Sequence, residues 1–364
     1  MKLILLKNNL TDSLNCVERA VSNTGKLPIL KNILIKGVDG KIFLEATDLE
    51  IAVSCLTPGK VLEDGSVTIP FSIFNSVIKN LTSERLTLES KNQALMVVTD
   101  NYEASIQGSE VSDFPIIPTI EENKNTIKLP AEFMSSLELI LPATQYSEIR
   151  PEISGIYFSF KESVLTLVAT DSFRLAEKKI NSSELVSDFD SMAFILPLKA
   201  AEELLRVFTP NSEITAIIDE SQVCFISPGR KLISRLVDGK FPDYQVIIPE
   251  KTETEVLGDR GEFLQAVRLV SSFAGKTNDV GVKLDGKHLE IFSADSSGNN
   301  SYKIAVKNKG ENFEAVFNWK YLFDAFKMYP SEEVLIGINS SDKPVCVKNP
   351  KDNSLVYIVM PIRR

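Results

Sequence analysis

Three aspartates stand at matching places along the chain, and carboxylates are among the few groups in it that could do acid–base work. Leu44, Ala46, Thr47 and Asp48 return as Leu167, Ala169, Thr170 and Asp171, and more loosely as Ile291, Ser293, Ala294 and Asp295, at spacings of 123 and 124 residues. Carboxylates tuned for catalysis converge on one site. Copies so far apart fit a repeated turn better, with the aspartate accepting hydrogen bonds from nearby backbone amides. The single histidine, His288, lies beside Lys287 in a hairpin-like stretch and reads as a solvated turn residue. One histidine cannot furnish a multi-histidine metal site, and any triad would have to be built around it. Cys16, Cys55, Cys224 and Cys346 are scattered without CxxC spacing, which indicates small buried residues and neither a zinc site nor a disulfide framework. Phosphate-loop, dinucleotide and nucleophile-elbow motifs do not occur. No enzyme is expected, and no cofactor or metal.

Cations carry the more telling pattern. The segments TIPFSIFNSVIKNL, ILPLKAAEELLRVF and VFNWKYLFDAFKMY each begin as a strand and break at Pro70, Pro197 or Asn318, residues suited to starting a helix. Nine positions after the starter stand Lys79, Arg206 and Lys327. Apolar residues occupy offsets 1, 4, 8 and 11: Phe71, Phe74, Ile78 and Leu81; Leu198, Ala201, Leu205 and Phe208; Trp319, Leu322, Phe326 and Tyr329. At about 100° per residue the apolar set spans one face and offset nine points away from it. Lys199 and Lys320 fall close to the same direction, while the first segment has Ser72 there. One such lysine is an ordinary solvated helix residue. A cation at this position in all three copies suits a helical face turned toward phosphates. No aromatic stacking platform or recognition-helix pattern accompanies the cations, so base readout is not expected.

These helices belong to a larger repeat. Each aspartate ends a hairpin-like stretch (LIKGVDGKIFLEATD, GIYFSFKESVLTLVATD, GVKLDGKHLEIFSAD), and an earlier helix precedes each hairpin. The earlier helices place Leu10, Leu14 and Val17, then Phe133, Leu137 and Ile140, then Phe263, Val267 and Val270 on one face. Phe114-Pro115 and Phe241-Pro242 lie one repeat apart in proline-containing, polar-ended segments that read as linkers. The expected organisation is α+β, in three tandem similar domains near 1–122, 123–250 and 251–364, each with two helices backed by antiparallel sheets. A length of 364 residues with 43% hydrophobic content suffices for several cores. No apolar run approaches the roughly 20 residues of a membrane helix, and a cytoplasmic location is expected. The net charge of −9 argues against a protein that merely coats nucleic acid. Screening beyond about 8 Å nevertheless lets a basic face act beneath an acidic exterior.

The segments LPILKNILI (27–35), LEATDLEIA (44–52), RPEISGIYF (150–158), LVATDSFRLAE (167–177), DGKFPDYQVIIP (238–249) and YIVMPIRR (357–364) are collinear with a known family. Over its whole length the chain resembles the bacterial DNA polymerase III beta subunit, the replicative sliding clamp. The resemblance implies a head-to-tail homodimer whose helices line a channel for duplex DNA while sheets form the outer wall. It also implies that polymerase and clamp-loader subunits insert short peptides between the second and third domains. The matching pocket positions are Ile153, Thr170, Arg174, Leu175, Pro242, Val246, Ile247, Pro344, Val359, Met360, Pro361 and Ile362. Members often carry Gly-His where this chain has Ser172-Phe173. The implied subunit contact involves Ala104, Ile106 and Phe273, and Lys26 and Arg150 join the DNA-facing cations. An enzyme built on the repeated aspartates and a peptide-binding scaffold without DNA encirclement are the competing readings.

Overall fold

The computed structural model describes residues 1–22, 27–118, 125–210, 212–296 and 298–363, so Lys26 lies outside the described residues. The first repeat runs β1 (Lys2–Leu6), α1 (Lys7–Val17), β2 (Asn32–Val38), β3 (Lys41–Thr47), β4 (Ile51–Thr57), β5 (Gly59–Glu63), β6 (Gly65–Pro70), α2 (Phe71–Asn80), β7 (Arg85–Lys91), β8 (Ala94–Val98) and β9 (Glu103–Gln107). The second follows the same order: β10 (Thr126–Leu129), α3 (Phe133–Ile140), β11 (Gly155–Lys161), β12 (Val164–Thr170), β13 (Arg174–Ile180), β14 (Val186–Ser187), β15 (Ser191–Pro197), α4 (Leu198–Val207), β16 (Ile214–Ile218), β17 (Gln222–Ser227) and β18 (Arg230–Arg235). The third is β19 (Thr254–Asp259), α5 (Arg260–Val270), β20 (Asp279–Asp285), β21 (His288–Asp295), β22 (Gly298–Ala305), β23 (Lys307–Lys309), β24 (Phe313–Asn318), α6 (Trp319–Lys327), β25 (Glu333–Ile338), β26 (Val345–Asn349) and β27 (Asp352–Val359).

Strand order repeats with the elements. The first repeat forms one sheet ordered β5-β1-β7-β8-β9 and a run β4-β3-β2-β6, and the other two repeats copy both. Where a repeat ends, its ninth strand pairs antiparallel with the fourth strand of the repeat before it. Thus β18 joins β4, with Ser234 opposite Ile51 and Lys231 opposite Ser54, and β27 joins β13, with Val359 opposite Arg174 and Val356 opposite Glu177. Two continuous nine-stranded sheets result. The contacts therefore gather the chain into two compact units, Met1–Met134 with Ser183–Asp190 and Lys199–Leu236, and Ser135–Ser182 with Ser191–Leu198 and Val237–Arg364. The repeat is the unit of sequence and strand order, whereas the fused sheet is the unit of packing.

Local chemistry accounts for the elements. Asp39 and Gly40 turn the β2–β3 hairpin with φ of 50° and 73°, a left-handed pair that suits the twist of the flanking strands. In the third repeat Gly286 turns the corresponding hairpin, and His288 just after it is exposed. Asn318 caps α6 by accepting from the Lys320 amide at 3.0 Å. The first helices bury the expected faces, and Phe263 of α5 stacks on Phe326 of α6 at 5.0 Å. In α4 the buried arc comprises Ala200, Ala201, Glu203, Leu204 and Val207. Leu205, expected in the stripe, is only half-buried because Leu204 takes the inward position. All four cysteines are buried and free. The spacing gave no hint that Cys16 and Cys55 are neighbours, and a hydrogen bond from the Cys16 thiol holds the Cys55 thiol down to about 7.

Phe326 is 2% exposed, so replacing it by alanine deletes a ring from a closed core. Phe326→Ala should cost about 3–5 kcal/mol. Chemical denaturation followed by circular dichroism checks this, and a loss below about 1 kcal/mol would contradict the packing described.

Candidate nucleic-acid and peptide interfaces

Two of the repeated aspartates make the same turn in atomic detail. Asp48 Oδ1 accepts from the amides of Glu50 and Ile51 at 3.0 and 2.9 Å, and Asp171 Oδ1 from those of Phe173 and Arg174 at 2.9 and 3.0 Å. The preceding threonine completes each turn, with Thr47 Oγ1 donating to the Ile51 carbonyl at 2.8 Å and Thr170 Oγ1 to that of Arg174 at 2.7 Å. Leu49 and Ser172 are thereby held at φ of 78° and 77°, a conformation that non-glycine residues seldom adopt. The side chain–backbone bonds stabilise this strained corner. Both aspartates thus act through structure, as a turn reading requires.

Among the expected DNA-facing cations, Lys79 on α2, Arg206 on α4, and Lys320 and Lys327 on α6 are exposed, and among the described residues none of these four makes an ion pair. Lys199 differs, since its ammonium is paired with the Asp48 carboxylate. Arg150 is engaged as well, with Nε 3.2 Å from Glu152 Oε1 and Nη1 donating to Ser172 Oγ at 2.8 Å. Beside Arg206 lies a residue that periodicity did not single out. Glu203 is 2% exposed and sits near Arg19, with Arg19 Nε 3.7 Å from its Oε1. Burial raises the Glu203 carboxyl above its ordinary value, and Arg206, Arg19 and Lys199 oppose the rise.

Every residue of the expected peptide pocket falls in the second compact unit. Arg174 and Val359 are cross-strand partners at the β13–β27 junction, and the Met360 amide donates to the Phe173 carbonyl at 2.8 Å. Leu175 packs with Phe241, Tyr244 and Ile358 in one apolar cluster beneath the 241–248 linker. Ile153, Thr170, Leu175 and Val359 are buried, and Val359 has no exposed surface. None of the four presents an exposed side chain, and Leu175 and Val359 point to opposite faces of the sheet, since Leu175 pairs with Ile358 and Val359 with Arg174. Pro242, Pro344, Met360 and Pro361 are half-buried, while Val246, Ile247 and Ile362 are exposed, Val246 to 79%. Exposed aliphatic residues such as Val246, Ile247 and Ile362 are the side chains among the expected set that an apolar partner could reach.

Arg174 is fixed in place. Its Nε lies 2.9 Å from Asp171 Oδ2, its Nη1 2.6 Å from Asp324 Oδ2, and its guanidinium carbon 4.4 Å from the centre of the Tyr321 ring. Burial opposes the charged form, but Tyr357 and Asp171 outweigh it, so the guanidinium stays protonated well above its ordinary range. Asp324 and Tyr321 come from α6, 150 residues away in the case of Asp324, and no local pattern pointed to them. Asp324 is the more accessible of the two carboxylates, 32% against 1% for Asp171, so a ligand reaching Arg174 meets Asp324 first.

A threefold α+β repeat whose sheets join from one repeat to the next, with a cation at one position of every second helix, is the clamp fold. Three family models cover the chain: the N-terminal, central and C-terminal domains of the DNA polymerase III beta subunit match residues 1–118, 129–243 and 245–363. The Beta sliding clamp of Bacillus subtilis (strain 168) is 28% identical over 379 residues, spanning 100% of both chains, and that of Chlamydia pneumoniae is 27% identical, spanning 100% of this chain and 99% of its own. The crystal structure of the DNA polymerase sliding clamp from Bacillus subtilis superposes with a TM-score of 0.94 at 27% identity, covering 100% of this chain and 99% of that one. The DNA polymerase III beta subunit from Thermotoga maritima gives 0.91 at 25% identity over the same shares. The chain belongs to the DNA polymerase III beta subunit family.

Glu203 yields a signed pH effect. Its carboxyl is raised in the folded state, so its contribution is complete below the ordinary value of 4.5 and is lost as pH rises through the folded value. Glu203→Gln should therefore melt a few degrees higher than the parent near neutral pH, with the gap closing in acid. Melting curves across pH 4–8 check it, and a variant less stable at pH 7.5 would show that ion pairing with Arg19 outweighs burial.

Proposed function

We propose that this chain is a DNA sliding clamp: two copies close head to tail around duplex DNA and hold a replicative polymerase to it. The observation that carries this reading is the pair of sheet junctions. Each joins a repeat's ninth strand to the fourth strand of the repeat before it, and the chain leaves one strand of each kind over. β9 is a ninth strand and β22 a fourth strand, and among the described residues each lies at the edge of its sheet with that side unpaired. A second copy supplies the missing partner to each, and two such contacts use up all four edges. Ala104 and Ile106 lie on β9, and Phe273 packs beside Gly298 at the start of β22, where the family resemblance sets the subunit contact.

Lys79, Arg206, Lys320 and Lys327 face phosphate in this reading, with Lys199, Arg150 and Lys26 as further contacts. Such contacts are blind to sequence and too few for tight binding, so retention depends on enclosure. Polymerase and clamp-loader subunits dock short peptides on Val246, Ile247, Met360, Pro361 and Ile362, near the end of β27. The protein works in the cytoplasm, where the bacterial chromosome lies, and catalyses no reaction of its own.

Protein loaded onto nicked circular DNA should remain bound through gel filtration and leave once the circle is linearised. Equal retention on both forms would sink the proposal. Replacing Lys79, Arg206 and Lys327 together by alanine should lower the slope of log affinity against log salt by about 2–3 for open or linear DNA. Ala104→Asp should shift the particle mass in solution from two chains to one, and an unchanged mass would place the subunit contact elsewhere.

A further inference from the structure

The two nine-stranded sheets carry equivalent rows of side chains on corresponding strands. In the second compact unit one row runs Tyr157, Val168, Glu177 and Val356 across β11, β12, β13 and β27. In the first unit the same register holds Leu34, Glu45, Ser54 and Lys231 across β2, β3, β4 and β18. A linker with the same opening residues lies over each row, Phe241-Pro242-Asp243-Tyr244 in one and Phe114-Pro115-Ile116-Ile117 in the other.

The two rows are covered very differently. In the second unit Phe241 stacks on Tyr157 at 4.9 Å, and Tyr244 packs into the cluster that contains Val168 and Val356 while its hydroxyl donates to Glu177 Oε2 at 2.8 Å. The linker's own rings close that face. In the first unit Ile117 stands where Tyr244 does, and the position of Val356 is taken by Lys231. A groove of about 660 Å³ remains, lined by Phe114, Ile117, Ile226, Glu45 and Lys231 among others. Glu45 is ion-paired with Lys36 through Oε2 at 2.6 Å and accepts from Ser54 Oγ through Oε1 at 3.3 Å. Lys231 makes no ion pair among the described residues, so a half-buried cation stands at a groove whose other walls include Phe114, Ile117 and Ile226. Lys231 is therefore the cation of the row left to pair with an incoming carboxylate.

We propose that this groove is a second docking site, for a partner segment that presents one aromatic side chain next to an acidic one. The ring takes the space that Tyr244 fills in the other unit, and the carboxylate pairs with Lys231. The occupant is inferred from what the same fold uses to fill the equivalent place, together with the charge left over. Its location in the first unit makes the site independent of the peptide pocket proposed above and of ring closure.

The test is fluorescence anisotropy with a fluorescein-labelled synthetic peptide holding one tyrosine between two aspartates in a glycine–serine frame, titrated with the full-length protein. Saturable binding is expected, weakened about tenfold or more by Lys231→Glu, equivalent to at least about 1.4 kcal/mol. Ile117→Tyr fills the groove as Tyr244 does and should abolish binding, with melting curves confirming that both variants fold. A control peptide with glycine for the tyrosine should fail to bind, and Val246→Asp at the other pocket should leave the titration unchanged. No saturable binding, binding indifferent to Ile117→Tyr and Lys231→Glu, or a groove-dependent association between copies of this chain in place of peptide binding would each overturn the proposal.

Discussion

The backbone edge of a β-sheet is the constraint on which the rest of this structure depends. An unpaired edge strand exposes a row of amides and carbonyls that must find water or another strand. Here each repeat ends in a strand that seeks an edge and offers, four strands from its start, an edge that can be sought. The repeated Thr-Asp turn acquires its meaning from this arrangement. Asp48 and Asp171 immediately precede β4 and β13, the strands that accept the next repeat, and Asp295 precedes β22. By bonding the amides of the two residues that enter the strand, each of the first two aspartates sets the direction in which the accepting edge leaves its corner. Two of the three aspartates that look in sequence like candidate acids are thus bound to the assembly of sheets.

The same constraint determines what was legible beforehand. Local features were readable because they are made by neighbours in the chain: the helix starters at Pro70, Pro197 and Asn318, the Asp-Gly hairpin at Asp39, the burial of Leu10 or Phe263, and the cation nine positions after each starter. Features made by strands far apart in sequence were not. No pattern in residues 174–180 announces that Arg174 will face Val359 across a sheet, or that Asp324 will take one arm of its guanidinium. The nearness of Cys16 and Cys55 depends on α1 lying against β4, which residue spacing does not encode. In α4 the periodicity put Leu205 in the core and the structure put Leu204 there, a one-residue difference that also turns Glu203 inward.

Duplication followed by divergence explains why equivalent positions do unlike work. Arg174 and Ile51 occupy the same place after their turns, each opposite the second-last or last residues of a partner strand. Ile51 is buried and apolar, whereas Arg174 is braced by two carboxylates and a tyrosine ring, an arrangement that keeps a cation in a partly dry setting without collapse onto the core. The fold tolerates this exchange because the backbone pairing is made by amides and carbonyls and is indifferent to which side chain each residue carries. Side chains at one junction can therefore diverge from those at the other without altering the sheet.

Charge follows the same logic at larger scale. A chain with nine more acidic than basic residues can still hold a polyanion if its cations share one helical face and its acids lie beyond a screening length. Each second helix carries its cation at the same position, and among the described residues Lys79, Arg206 and Lys327 make no ion pair, while Lys199 is restrained by Asp48 and Glu203 lies near Arg206. In the proposed clamp, pairing Lys199 with Asp48 leaves fewer free cations for phosphate, and few free contacts suit motion along DNA. Each additional free contact would deepen the electrostatic hold at every position and slow the passage from one phosphate to the next. Weak contact and topological enclosure are complementary, because a closed ring needs no strong grip, and strong grip would defeat the purpose of a ring that must slide.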